Sequence, residues 1–133
     1  MQNIDMTERR IDGREVYSGK ILHVMVDKVE LPNGNTSTRE YVGHPGAVCV
    51  VPINEKGEVL CVRQYRYTHG RVFLEIPAGK LESGETDPDD DEFIDVEAIP
   101  LEKLAEMCVS GEISDGKTIA AVLKAKYILD KRK

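Results

Sequence analysis

No apolar run in this chain approaches the roughly 18 residues of a membrane-spanning helix. The stretch from Met1 to Arg14 is polar and mixed in charge, so it does not read as a signal peptide. A soluble, cytoplasmic protein without a membrane partner is therefore expected. At 133 residues the chain leaves little room for a second hydrophobic core, which predicts a single domain over 1–133. Cysteine is sparse. Cys49, Cys61 and Cys108 are odd in number, widely spaced and set in apolar stretches, and they read as reduced core thiols rather than as a disulfide framework or a zinc site. Basic residues are missing from one segment altogether: between Glu82 and Glu97 lie nine acids and no Lys or Arg. The net charge of −6 argues against nucleic acid as a partner. With those nine of the 24 acids set aside, 15 remain against 18 basic residues, so one acidic block sits in an otherwise mildly basic chain. Two readings of the block stay open, a solvated loop and a site for a hard divalent cation.

The first two-thirds of the chain reads as strands. Lys20 to Leu31 is rich in β-branched residues, Pro32-Asn33-Gly34-Asn35 signals a turn, and Thr36 to Val42 resumes with β-formers, so a hairpin is expected. Ala47 to Ile53 is a continuous apolar run suited to a strand buried on both faces. Asn54 to Glu58 reads as a tight loop, Val59 to Tyr65 as the answering strand, and Val72 to Ile76 as another. Pro77 to Asp91 reads as loop, and Glu92 to Val96 as one more strand. Pro100 then opens a helix over Leu101 to Val109, Ser110-Gly111 stops it, and a last helix runs from about Asp115 to Asp130. Strands first and helices last predict an α+β fold.

Gly111-Glu112-Ile113-Ser114-Asp115-Gly116-Lys117-Thr118 satisfies the phosphate-loop pattern G-x-x-x-x-G-K-[ST] letter for letter. A working phosphate loop leaves a buried strand and opens a helix, so that backbone N–H groups cradle the phosphates. Here a helix precedes Gly111, and Glu112 and Asp115 would repel phosphate. The segment reads instead as a C-capping glycine, a short turn, and Asp115 as N-cap of the last helix.

Leu74-Glu75-Ile76-Pro77-Ala78-Gly79-Lys80-Leu81-Glu82-Ser83-Gly84-Glu85 runs from a strand through a Pro-Ala-Gly turn into a segment carrying carboxylates. Backbone carbonyls and acids converging at a strand end suit a divalent ion. This stretch resembles the Nudix hydrolases, and more narrowly their ADP-ribose pyrophosphatase branch. The same resemblance is carried by Ser18-Gly19-Lys20, by Val29-Glu30-Leu31-Pro32-Asn33-Gly34, and by Arg39-Glu40 ahead of His44-Pro45-Gly46-Ala47-Val48. Val62-Arg63-Gln64-Tyr65-Arg66, Asp90-Asp91-Glu92-Phe93, Ser110 to Ile113 and Lys117-Thr118-Ile119-Ala120 extend it toward the end of the chain.

The resemblance implies an α/β/α Nudix-like arrangement with a mixed β-sheet and C-terminal helices. It implies hydrolysis of ADP-ribose, a nucleoside diphosphate sugar, to AMP and ribose 5-phosphate with Mg2+ or Mn2+. It also implies a homodimer, in which the hairpin over about 16–42 packs on the partner. In the family pattern G-x5-E-x7-R-E-U-x-E-E-x-G-U, Gly79 and Glu85 fit the opening. Positions 93, 94, 97, 98 and 100 should then carry Arg, Glu, Glu, Glu and Gly, but this chain has Phe93, Ile94, Glu97, Ala98 and Pro100. The box helix and the strands after it are missing, an internal deletion placed near 85–87, and the fold is expected to be truncated. The residues that remain are, by resemblance, Ala78 through its carbonyl, Glu82 and Glu85 at the metal, and Arg39, Glu40 and Arg66 at the substrate. No catalytic residue is assigned, since the box helix would supply them. The alternative is a non-catalytic nucleotide-binding or dimerising remnant of that family.

Overall fold

A computed structural model of the chain describes residues 5–80 and 94–132. It divides into two units, Met1–Pro45 and Gly46–Lys133. The first is an antiparallel sheet in the order β1-β2-β3, with β1 at Arg9–Ser18, β2 at His23–Glu30 and β3 at Thr36–Gly43. The expected hairpin is β2–β3. Its turn rests on Gly34, whose φ of 82° lies in the left-handed region open to glycine, and the Gly34 N–H donates to the Leu31 carbonyl at 2.9 Å. Strand β1 adds a partner where the sequence looked merely polar, and its register against β2 shifts twice. Among the described residues of this unit Val29 is the one buried apolar side chain, while Tyr17, Ile21, Leu22 and Val42 are each more than half exposed. Asp27 is buried too. Its Oδ2 accepts from Arg10 Nε at 2.8 Å and from the Tyr41 hydroxyl at 3.1 Å. Gly13 lies against its other oxygen, where a Cβ would come within 1.8 Å, so a side chain there would displace the Asp27 carboxylate.

The second unit contains β4 (Ala47–Cys49), β5 (Glu58–Arg66), a 3-10 turn (Tyr67–His69), β6 (Arg71–Glu75), β7 (Ala78–Lys80) and β8 (Ile94–Pro100), followed by helices α1 (Leu101–Ser110) and α2 (Gly116–Asp130). β4 pairs with β7, and a separate sheet runs β6-β5-β8. The single expected sheet is thus distributed over three sheets, and every described pairing is antiparallel. The strand-then-helix order makes the fold α+β as expected.

The core gathers Val59, Cys61, Ile76, Ile99, Leu104, Ile113 and Val122, so that one face of β5 and β8 packs on the helices. The other side is bare: Leu60 is 38% and Val96 63% exposed. The run Ala47–Ile53 corrects a sequence expectation. Only Ala47–Cys49 forms a strand, with a single three-residue partner, and Val48 and Val50 are both more than half exposed. An apolar run becomes a doubly buried strand only when layers cover both of its faces, and here they do not. Cys49, expected in the core, is exposed with it, while Cys61 and Cys108 are buried. Burial pushes the Cys61 thiol up to about 11, with Glu97 and Cys108 adding to it, so this sulfur stays protonated and inert. β7 lies where a loop was expected.

The helix boundaries follow their local signals. Gly111 ends α1 with φ at 84°, and Asp115 caps α2, its carboxylate accepting the Thr118 N–H at 2.9 Å. Tyr127 of α2 is exposed. Among the described residues no helix is long and apolar enough to cross a membrane.

Candidate functional site

A polar cluster of the second unit centres on Glu75. This carboxylate closes β6 and is 2% exposed. A charge so far from water needs compensation. Arg66, at the end of the neighbouring strand β5, supplies it in a two-point fork, Nε to Oε1 at 2.8 Å and a terminal nitrogen to Oε2 at 2.7 Å. Lys117, on the first turn of α2, donates to the same Oε2 and to Asp115 Oδ2 at 2.9 Å. The Arg66 hydrogen bonds hold the Glu75 carboxyl below its ordinary 4.5 despite burial, with Lys117 adding to the effect. Burial would lower the Lys117 ammonium, but Glu75 and Asp115 outweigh it and raise it above 10.5.

Beside this cluster runs the strand end expected to present a metal ligand. The Ile76 N–H donates to the Thr118 hydroxyl at 3.0 Å, and that hydroxyl donates to Asp115 Oδ2 at 2.5 Å. The Pro77 carbonyl accepts the Val50 N–H at 3.0 Å. Ala78 then pairs with Cys49. Ala78 is the one anticipated metal ligand among the described residues; Glu82, Glu85 and the junction near 85–87 lie outside them. Within the described residues no three Asp, Glu, His or Cys side chains gather as a metal group. One carbonyl does not make a magnesium site, so no chemical step is derived through a metal. Where the box helix should bring paired acids, β8 lies against β5, with Glu97 opposite Cys61 and its carboxylate 2.7 Å from an Arg63 nitrogen.

The remaining anticipated residues belong to the first unit. Arg39 and Glu40 are neighbours on β3, an edge strand, and both are exposed. Arg39 donates to Glu8 through Nε at 2.8 Å, which with burial outweighed holds its guanidinium above the ordinary range. Successive residues of a strand point to opposite faces, so one ligand touched by both must straddle the edge of β3. A hollow of about 290 Å³ in this unit is lined by Arg14, Lys28 and Thr38 among others, and an apolar one of about 430 Å³ in the second unit by Ile53, Leu101 and Leu129. Neither is lined by Arg39, Glu40, Arg66 or Ala78. The sequence reading missed Lys117 and Thr118 as partners of the strand end. The only local sign was the Gly-Lys-Thr triplet, which pointed to phosphate instead.

Residues 8–42 match the nucleoside diphosphate sugar hydrolase N-terminal domain, and residues 43–90 match the NUDIX domain. An ADP-ribose pyrophosphatase of Bacillus subtilis is 46% identical over 80 residues, 60% of this chain and 43% of that protein. A methanol dehydrogenase activator of Bacillus methanolicus is 49% identical over 78 residues, 59% of this chain and 42% of that protein. An ADP-ribose pyrophosphatase of Mycobacterium tuberculosis is 40% identical over 72 residues, 54% of this chain and 35% of that protein. The chain thus spans less than half the length of these curated relatives. The crystal structure of an ADP compounds hydrolase shares the fold at a TM-score of 0.82 and 12% identity, over 99% of this chain and 98% of that one. Two adjoining family matches thus reach from residue 8 to residue 90, and over that stretch the chain is similar to Nudix hydrolases that carry the nucleoside diphosphate sugar hydrolase N-terminal domain.

Proposed function

We propose that this chain acts on nucleoside diphosphate sugars as a Nudix hydrolase of the ADP-ribose pyrophosphatase type, taking ADP-ribose to AMP and ribose 5-phosphate with Mg2+ or Mn2+ in the cytoplasm. The observation that carries the reading is the 46% identity over 80 residues with the Bacillus subtilis enzyme. In this reading Arg39, Glu40 and Arg66 meet the substrate, while the Ala78 carbonyl, Glu82 and Glu85 serve the metal. The domain is one Nudix-like unit of function over 1–133, shortened near 85–87. A specific observation favours a second reading, a nucleotide-binding or dimerising remnant: β8 occupies the positions that should carry the box acids. Calorimetric titration with ADP-ribose and Mg2+, followed by chromatography for AMP, separates the two. Binding with AMP release supports the enzyme, binding alone supports a nucleotide-binding remnant, and no binding at millimolar nucleotide overturns both and leaves only a dimerising one.

The same proposal includes a homodimer formed through the hairpin over 16–42. A three-stranded sheet with one buried apolar residue needs cover to be stable, and Tyr17, Ile21, Leu22 and Val42 offer an apolar face for it. Light scattering at micromolar concentration is expected to give twice the chain mass of 14.9 kDa. A clean monomer would overturn this.

A further inference from the structure

Lys117 and Thr118 were singled out by a phosphate-loop pattern that the fold does not use. Lys117 is committed to Glu75 and Asp115, and Thr118 is fully buried with its hydroxyl committed to Ile76 and Asp115. Both side chains reach from the first turn of α2 to one short stretch, Glu75-Ile76, at the end of β6. That stretch has Arg66 on one side and the Pro77-Ala78 turn on the other. We propose that Lys117 and Thr118 are positioning residues of the nucleotide site, Thr118 fixing the strand end that presents the Ala78 carbonyl and Lys117 sharing Glu75 with Arg66. The role rests on the functional reading above.

Thr118 acts by geometry. Ile76 lies one residue beyond β6, where its N–H has left the ladder, and a buried N–H needs an acceptor. The Thr118 oxygen is that acceptor at 3.0 Å, and Asp115 Oδ2 holds the hydroxyl in place from its other side. One residue on, the backbone is fixed again by the Val50 N–H on the Pro77 carbonyl. The Ala78 carbonyl is thus carried on backbone held from both directions.

Lys117 acts by charge. With Lys117 on the same carboxylate oxygen and Asp115 beside it, the four groups balance as two cations and two anions. Removing Lys117 leaves a net negative cluster beside Arg66, and an anionic ligand is then repelled. An aliphatic side chain of the same length would fill the space of Lys117 but not its charge, which separates this role from packing.

The test uses the full chain with Lys117→Met, Lys117→Arg, Thr118→Val and Thr118→Ser. In Thr118→Val the Ile76 amide is expected to exchange about tenfold faster, as befits one lost hydrogen bond, while the Cys61 amide in β5 keeps its rate. Thr118→Ser restores it. In Lys117→Met the Glu75 carboxyl is expected to titrate at higher pH by carbon-detected NMR, and Lys117→Arg restores it. The dissociation constant for ADP-ribose with Mg2+ is expected to rise about tenfold in Lys117→Met and Thr118→Val, the scale of one charge-assisted contact, and to recover in both conservative variants. Unchanged Ile76 exchange and Glu75 titration, or a uniform acceleration of all amides, would overturn the proposal. A wild-type chain that binds no ADP-ribose sinks the functional reading, while the exchange and titration still decide whether these two residues hold Arg66 and the strand end.

Discussion

Glu75→Ala is expected to destabilise the second unit by about 2–3 kcal/mol, measured as a shift in the urea midpoint at unchanged slope. Glu75 is 2% exposed and neutralises two cations, Arg66 through a fork and Lys117 through the shared Oε2. Its removal takes the shared anion from both and leaves Lys117 with Asp115. Breaking one partner out of a fully buried ion pair costs roughly 3–5 kcal/mol. The Arg66 and Lys117 side chains are 39% and 33% exposed and regain part of their hydration, which places the loss below that range. The double variant Glu75→Ala with Lys117→Met removes the second cation as well and is expected to recover part of the loss, a non-additivity that marks the pair as coupled. The pH dependence has a fixed sign. The Glu75 carboxyl titrates lower in the folded chain than in the unfolded one, so its contribution is full above its ordinary 4.5 and is lost as pH falls through the depressed value. Lys117 is raised, so its contribution is full below 10.5 and is lost as pH rises beyond that. Wild type is expected to lose stability toward acid in a way that Glu75→Ala does not. Equal acid sensitivity in both proteins would show that the carboxylate is not charged in the fold.

Local signals were legible in the sequence and long-range ones were not. Pro100, Gly111 and Asp115 mark helix ends through their own backbone preferences, so α1 and α2 could be placed to within a residue or two. The β2–β3 turn was equally plain from Asn33-Gly34. Strand β1 was not, because Arg9–Ser18 carries few apolar residues and gains its structure from pairing with β2. The Ala47–Ile53 run was overread for the opposite reason: apolar composition signals burial only where covering layers exist. The Glu75 cluster joins residues 9 and 42 positions apart in the chain, and no spacing rule reaches that far. Of the anticipated site, Ala78 was named by resemblance alone, and it lies in β7, where the Pro-Ala-Gly sequence suggested a turn. The partners that hold it come from α2, and only the fold brings them there.

ADP-ribose turnover by the purified 133-residue chain is expected to fall at least about a thousandfold below that of the Bacillus subtilis relative, because a single well-placed charge-stabilising group is already worth about 10²–10³ in rate and here a whole set is displaced. Cleaving a pyrophosphate needs divalent ions that neutralise developing charge and activate a water. The family pattern places the required acids on one helix, where i, i+3 and i+4 spacing turns them to a common face. In this chain the positions due to carry that pattern include Ile94, Glu97, Ala98 and Pro100, and they lie in β8. A strand sends successive side chains to opposite faces and spaces those on one face about 6–7 Å apart, whereas ligands of one magnesium ion must converge to about 2.0–2.1 Å from it. The one acid among those positions, Glu97, is bonded to Arg63 instead. In the proposed reading binding is less affected than turnover, since the residues assigned there to the substrate do not come from the box helix. The expected pattern is therefore measurable ADP-ribose affinity with AMP release that is slow but still clearly above the uncatalysed background, in Mg2+ and in Mn2+ alike. Release within tenfold of the relative would overturn this, and would show that the carboxylates between Glu82 and Glu92 assemble a metal site without the box helix.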